Sequence, residues 1–176
     1  VGPGRDPHAY EPSPRQMVEA SRARVYFRVG VDFEDVWLER IRQASPGLRV
    51  VDQREAVPLR QVEGHRHGES RQRHGAGPET GGAGRQPAAP APGRPDPHIW
   101  TSPPLAKRMA AQVRDELTRS DPAGALAYAA GYDRLAGELD ALDAEIRAAL
   151  TGAKGRRFLV FHPAWGYFAD TYGLTQ

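Results

Sequence analysis

The chain has 176 residues, 39% of them hydrophobic, and its 24 basic residues nearly cancel its 22 acidic ones for a formal net charge of +2. That length suits one domain or two small ones, and so even a charge balance argues against a nucleic-acid surface. No cysteine is present, which excludes disulfides and thiolate metal sites, and no run of about 18 apolar residues encodes a transmembrane helix. Lys107 and Lys154 are the only lysines; the excess of arginine, with much Ala, Gly and Pro, reads as coding bias rather than as a binding surface. The chain opens on Val1 with no signal segment before it, so it reads as a processed chain or a fragment.

In chain order, Val1–Gly4 ("VGPG") reads as a strand end running into a loop. Ser13-Pro14-Arg15-Gln16 is a helix start, with Ser as cap, Pro at the first helical position and Gln as capping-box partner; the helix should reach about Ala23. "RVYFRVG" (Arg24–Gly30) predicts a strand from its β-branched and aromatic content. "FEDVWLERIRQA" predicts a helix with Phe33, Val36, Trp37, Ile41 and Ala44 on one face. "LRVVD" (Leu48–Asp52) predicts a second strand, and the alternation points to an α/β architecture with a mainly parallel sheet. From Glu63 to Pro95 there is no Leu, Ile, Val, Phe, Tyr or Trp, so this stretch is expected to be a disordered loop.

Ser102-Pro103 opens a helix through about Arg119. Asp121-Pro122 caps a long one to about Leu150. Its apolar positions, Tyr128, Tyr132, Leu135, Leu139, Leu142, Ile146 and Ala149, follow a heptad seam. At ~1.5 Å per residue it would be roughly 45 Å long, suited to joining two lobes; the alternative is one member of an antiparallel pair with residues 102–119. Gly131 and Gly137 weaken it by about 1 kcal/mol each. "RFLVF" (Arg157–Phe161) predicts a buried strand, ended by His162-Pro163, and "AWGYFADTYG" predicts a further amphipathic helix. One strand and one helix cannot close a domain, so a second lobe is expected to be truncated at Gln176.

Of the six histidines, His65, His67 and His74 sit in the expected loop. The other three each adjoin a proline: His8 in "DPHAYEP", His98 in "DPHIWTSPP" and His162 in "FHP". The first two share Asp-Pro-His followed by an aromatic two residues on. Each of the three lies shortly before a helix start, and His162 is expected to follow a strand directly. Ligands in open α/β sheets bind beyond the carboxyl ends of strands. Neighbouring proline restricts the backbone and lowers the entropy lost on chelation. Three imidazoles bind zinc and leave one tetrahedral position open. Asp6 and Asp96 could orient the neighbouring rings, and Tyr10 and Trp100 could wall the site from water. Residue types and spacing alone leave a three-histidine site and ordinary loop histidines as open alternatives.

"VGPGRDPHAYEPSPRQM", "DPHIWTSPPLAKRMA" and "RFLVFHPAWGYFADTYGLTQ" together resemble the metal-binding solute-binding proteins of ABC importers, in their zinc-specific branch. The resemblance implies two α/β lobes joined by one long rigid helix with the metal in the cleft. It would divide this chain into an N-terminal lobe at 1–119 (with loop 63–95), a bridging helix at 120–151 and the start of a C-terminal lobe at 152–176. It implies His8, His98 and His162 as ligands of Zn2+, capture outside the cytoplasm (periplasmic or extracellular, with a lipid anchor as one option), and delivery by a monomer to an ABC importer permease. The manganese branch of the family usually carries a carboxylate at the third position; a nitrogen donor there favours zinc, since oxygen ligands suit manganese. A manganese or other divalent cargo is the near alternative. Loop 63–95 stands where the family often has a His- and Asp-rich loop, but its many arginines favour a plain flexible loop. Family members also carry earlier elements and most of a second lobe that can supply a carboxylate ligand.

Two readings from other classes compete. A three-histidine zinc hydrolase would need a general base; Glu11 is the obvious candidate, and no His-Glu-x-x-His motif exists. A scaffold with a structural metal would be unfolded without it.

Overall fold

The computed structural model describes residues 12–61 and 95–176. The expected strand end at Val1–Gly4, His8, Tyr10, Glu11, the three loop histidines and residues 63–94 lie outside the described residues.

Helix α1 (Pro14–Ser21) starts on the capping box read from the sequence: Ser13 Oγ accepts the Gln16 N–H, and Gln16 Oε1 accepts the Ser13 N–H at 2.9 Å. Strands β1 (Val25–Arg28) and β2 (Arg49–Asp52) pair in parallel, Val25 opposite Arg49 through Arg28 opposite Asp52, with helix α2 (Asp32–Ala44) as the crossover. This is the β-α-β unit that the alternation predicts.

The buried face of α2 differs from the expected one. Glu34, Leu38 and Ile41 are buried, while Val36 is 57% exposed. The cause is at the helix start. The Glu34 carboxylate accepts the backbone N–H of Gly30 at 2.6 Å and of Val29 and Val31 at 3.2 Å, with the Tyr26 hydroxyl at 3.3 Å. Gly30, at φ +89°, turns these donors inward, and a Cβ there would meet the Arg54 side chain. Bonds to a carboxylate are the strong class; they hold Glu34 inside, and the turn rotates Val36 out. Burial, then Glu34, pushes the Tyr26 phenol up to about 12.

Helix α3 (Pro103–Ser120) and helix α4 (Ala125–Ala149) run antiparallel: Lys107 Nζ lies 2.6 Å from Asp140 Oδ2, and the Arg114 guanidinium sits 4.3 Å over the Tyr132 ring. The 25 residues of α4 span roughly 37 Å. That is shorter than expected, because Pro122–Gly124 form a 3₁₀ turn and the Asp121 carboxylate takes the Tyr128 hydroxyl at 2.7 Å instead of capping the helix. At its far end Asp143 accepts the Tyr172 hydroxyl at 2.9 Å, and Arg147 stacks 5.3 Å from that ring. Pairing with α3 and reaching beyond it are therefore properties of the same helix. The expected heptad seam is shifted: Ala136 is buried, whereas Leu135 and Leu142 are 42% and 44% exposed. A small residue suits the close contact with α3, and the Tyr172 bond draws in Asp143 beside Leu142.

Helix α5 (Gly166–Tyr172) ends at Gly173 in the left-handed region, φ +68°. The segment expected as a buried strand before it is not one. Only Arg157 bridges, to Thr175, and Leu159 and Phe161 are fully exposed. Its backbone ties, Phe158 N–H to Thr175 O and Thr175 N–H to Arg156 O, lie at its beginning. A strand is made by neighbours on its edges and cover on its faces, and among the described residues nothing supplies either to Leu159–Phe161.

One cluster joins these parts. Ile99, with no exposed surface, packs with Val57 and Tyr167, backed by Ala56, Leu105 and Met109. It lies between the residues that follow β2, the start of α3 and α5. Among the described residues no helix is long and apolar enough to cross a membrane.

Candidate metal centre

The stretch Pro95–Ser102 carries the second Asp-Pro-His motif. Its backbone is fixed from both directions: Pro95 bridges Gln61, and the Asp96 N–H donates to Arg60 O at 2.7 Å. His98 then leads into a 3₁₀ turn (Ile99–Thr101), where the buried Ile99 anchors it. Asp96 is 2% exposed and His98 8%.

Asp96 Oδ1 lies 2.6 Å from His98 Nδ1 and also accepts the His98 backbone N–H at 3.0 Å. Burial alone would raise the Asp96 carboxyl, but the bonds from the His98 ring and backbone outweigh it. They hold the carboxyl below the usual carboxylate range, helped by the charge of Arg60. An ionised carboxylate only accepts, so the proton of the neutral imidazole sits on Nδ1 and the Nε2 lone pair points away from Asp96. Trp100 stands edge-on to the ring at 5.5 Å but is 47% exposed, so it screens the site on one side only.

His162 lies four residues before α5, in an irregular segment rather than directly after a strand. Its exposed ring crosses that of His98 at 81°, with centroids 5.1 Å apart and the two Nε2 atoms 3.2 Å apart. The structure thus brings two of the three expected residues together from positions 64 apart in the chain, while His8 lies outside the described residues. Among the described residues no group of three or more His, Cys, Asp or Glu side chains is gathered as a metal cage.

The helix behind His162 is fastened to the His98 segment by polar contacts that no motif announced. Tyr167, 4% exposed, donates its hydroxyl to Asp96 O at 3.0 Å and accepts the Arg60 N–H at 2.9 Å. Ser102 stands at the cap position of α3 without a capping bond from its side chain, and its Oγ lies 2.7 Å from Thr171 Oγ1. Arg60 Nε reaches Asp170 at 3.0 Å. In sequence, Tyr167 looks like one more apolar residue on an amphipathic helix; only its buried hydroxyl marks it.

Comparison with known proteins gives a consistent result. The family model for the periplasmic component A of zinc-uptake complexes (ZnuA) matches residues 1–176. The high-affinity zinc uptake system protein ZnuA of Paracoccus denitrificans is 46% identical over 79 residues, which is 45% of this chain and 24% of that protein. The zinc-binding protein AdcA of Streptococcus pyogenes is 27% identical over 177 residues, covering 98% of this chain and 33% of that one. A crystal structure of ZnuA superposes with a TM-score of 0.75 at 32% identity, over all of this chain and 58% of that one. The solute-binding protein FpvC of Pseudomonas aeruginosa, in complex with Mn2+, superposes at 0.73 and 27% identity, over 99% of this chain and 57% of that one. The chain spans a quarter to a third of these curated relatives and somewhat over half of the solved structures. The fold is α/β with a long helix, as in those structures, and the chain belongs to the ZnuA family of periplasmic components of zinc-uptake complexes.

Proposed function

We propose that this chain captures Zn2+ outside the cytoplasm, in a periplasm or at a cell surface, and hands it to the permease of an ABC-type importer as a monomeric solute-binding protein. His8, His98 and His162 are the ligands in this reading. Residues 1–119 and 152–176 belong to two lobes, and 120–151 is the bridge; the contacts of α4 with α3 at one end and with Tyr172 at the other support it.

The observation that carries the reading is the Nε2–Nε2 separation of 3.2 Å between His98 and His162. Two imidazole nitrogens, each ~2.0–2.1 Å from one zinc ion at the tetrahedral angle, stand about 3.3 Å apart. Asp96 holds His98 in the tautomer that offers Nε2, the arrangement a ligating histidine uses. Membership of a zinc-uptake family supports the same cargo. A relative that binds manganese keeps that ion as the alternative, and an all-imidazole set favours zinc over it.

Binding rather than catalysis fits the pair. The carboxylate beside it, Asp96, is engaged with His98, and the family the chain belongs to is one of uptake components. Zinc titration against a competing fluorescent chelator tests the reading. His98→Ala and His162→Ala should each lose more affinity than the ~10–100-fold that an outer-shell change costs. Wild-type affinity in both folded variants would refute it.

A further inference from the structure

We propose that Tyr167 is a positioning residue: its hydroxyl sets the distance between the His98 and His162 imidazoles. This rests on the zinc-site reading above and goes beyond it by naming what holds the two donors in register.

The two rings come from different parts of the chain, and each is placed through a neighbour. His98 follows Asp96 by two residues, and Asp96 carries it through Oδ1. His162 precedes α5 by four residues, so a rigid displacement of α5 carries His162 with it. Tyr167, the second residue of α5, is where these two placements meet. Its hydroxyl donates to the carbonyl of Asp96 itself and accepts from Arg60, whose own carbonyl takes the Asp96 N–H at 2.7 Å. One oxygen thus ties α5 to both strands of the bridge that presents His98.

The Tyr167 ring is packed against Ile99 and Val57, so the oxygen has little room to move. Gly166 keeps the approach close: a Cβ there would lie 2.5 Å from Arg60 Nη1, and the Arg60 side chain passes over it to Asp170. Removing the hydroxyl leaves the Arg60 N–H and the Asp96 carbonyl without this buried partner, and such groups seek new ones by shifting. The Ser102–Thr171 contact joins the same two elements at positions farther along the chain from His98 and His162. It serves as a control for a simple loss of packing.

The test uses the full-length protein as wild type, Tyr167→Phe and Ser102→Ala. The measurements are zinc affinity, the visible spectrum of the Co2+-loaded form, melting temperature and a metal-free crystal structure. Tyr167→Phe should weaken zinc binding ~10-fold, alter the Co2+ absorption bands and lengthen the Nε2–Nε2 distance. Ser102→Ala should lower the melting temperature while leaving affinity and spectrum at wild-type values. The proposal is overturned if Tyr167→Phe keeps wild-type affinity, spectrum and ring separation. It is equally overturned if both variants lose affinity in proportion to melting temperature. If Tyr167→Phe does not fold, Arg60→Ala loosens the same junction from its exposed side. It should give a smaller loss than Tyr167→Phe with the same spectral change, and an unchanged spectrum overturns the proposal. A wild type that binds no zinc sinks the function proposed above, while the crystal structure still reads the ring register and judges Tyr167 separately.

Discussion

Replacing Asp96 by asparagine changes one atom type and one charge at the base of the His98 ring. Asp96 Oδ1 accepts two bonds from His98, one from Nδ1 and one from the backbone N–H. Asparagine can keep its oxygen in that place, so the geometry survives while the charge does not. A hydrogen bond to a charged group contributes about 1.5–3 kcal/mol against about 1 for a neutral pair, a difference of roughly 0.5–2 kcal/mol. Asp96 is 2% exposed, so water does not make up the loss. The neutral amide also no longer forces the proton onto Nδ1, and part of the population turns a protonated Nε2 toward the site. A loss of ~0.5–2 kcal/mol corresponds to zinc binding about 2- to 30-fold weaker, and because two bonds lose the charge the upper part of that range is expected. Competition with a fluorescent zinc chelator at neutral pH measures it, and circular dichroism confirms the fold. A dissociation constant within a factor of about two of wild type, in a folded variant, would refute both the charge argument and the assignment of His98 as a donor.

His162→Glu should move preference from zinc toward manganese, since oxygen donors suit the harder ion; competition titrations with both metals read the ratio, and an unchanged ratio removes His162 from the coordination sphere. Zinc affinity should fall as the buffer is acidified, because protons compete with the metal for imidazole nitrogens; flat affinity between neutral and mildly acidic buffer would count against nitrogen ligands. Glu116 is pulled down to about 2 by the guanidiniums of Arg119 and Arg49. Its folded-state value lies below its unfolded one, so the stability it contributes is present above about 4.5 and is lost as pH falls through about 2. Glu116→Gln should flatten that acid limb in a urea-denaturation series, and an unchanged limb would show that the pairing is not felt. Ile99→Ala empties the most buried position of the central cluster and should cost about 2–5 kcal/mol; a melting temperature within a degree or two of wild type would mean that the cluster does not join the parts around it.

Local chemistry made much of the chain legible without coordinates. Ser13-Pro14-x-Gln16 writes a capping box in four residues, and the box forms. Val25–Arg28 and Arg49–Asp52 are short, β-branched stretches flanking a helix, and they pair in parallel as such a unit must. Pro103 and the proline at 122 mark where helical structure begins. The family, too, was readable in three motifs, and the family model matches the whole chain.

Other features answer to partners distant in sequence, and there the local pattern misled. The helical period puts Val36 on the inward face, but Glu34 captures the turn at Gly30, and Leu38 is buried where Val36 was expected. "RFLVF" has strand composition, but a strand exists only where something pairs with it, and Leu159 and Phe161 stand in solvent. The heptad seam of α4 shifted from Leu142 to Asp143 because a tyrosine 29 residues later donates to that carboxylate.

The histidines show the division most clearly. Asp-Pro-His announces a candidate donor and even its orienting carboxylate, because Asp96 and His98 are two residues apart. That His98 and His162 should stand 3.2 Å apart is written in neither motif. That distance depends on where α5 lies against the bridge, and the contacts of Tyr167 with Asp96 and Arg60 that meet there carry no signature in either motif. Residue type and order are enough to name the candidate donors; which of them face each other is a property of packed elements, and no single element carries it.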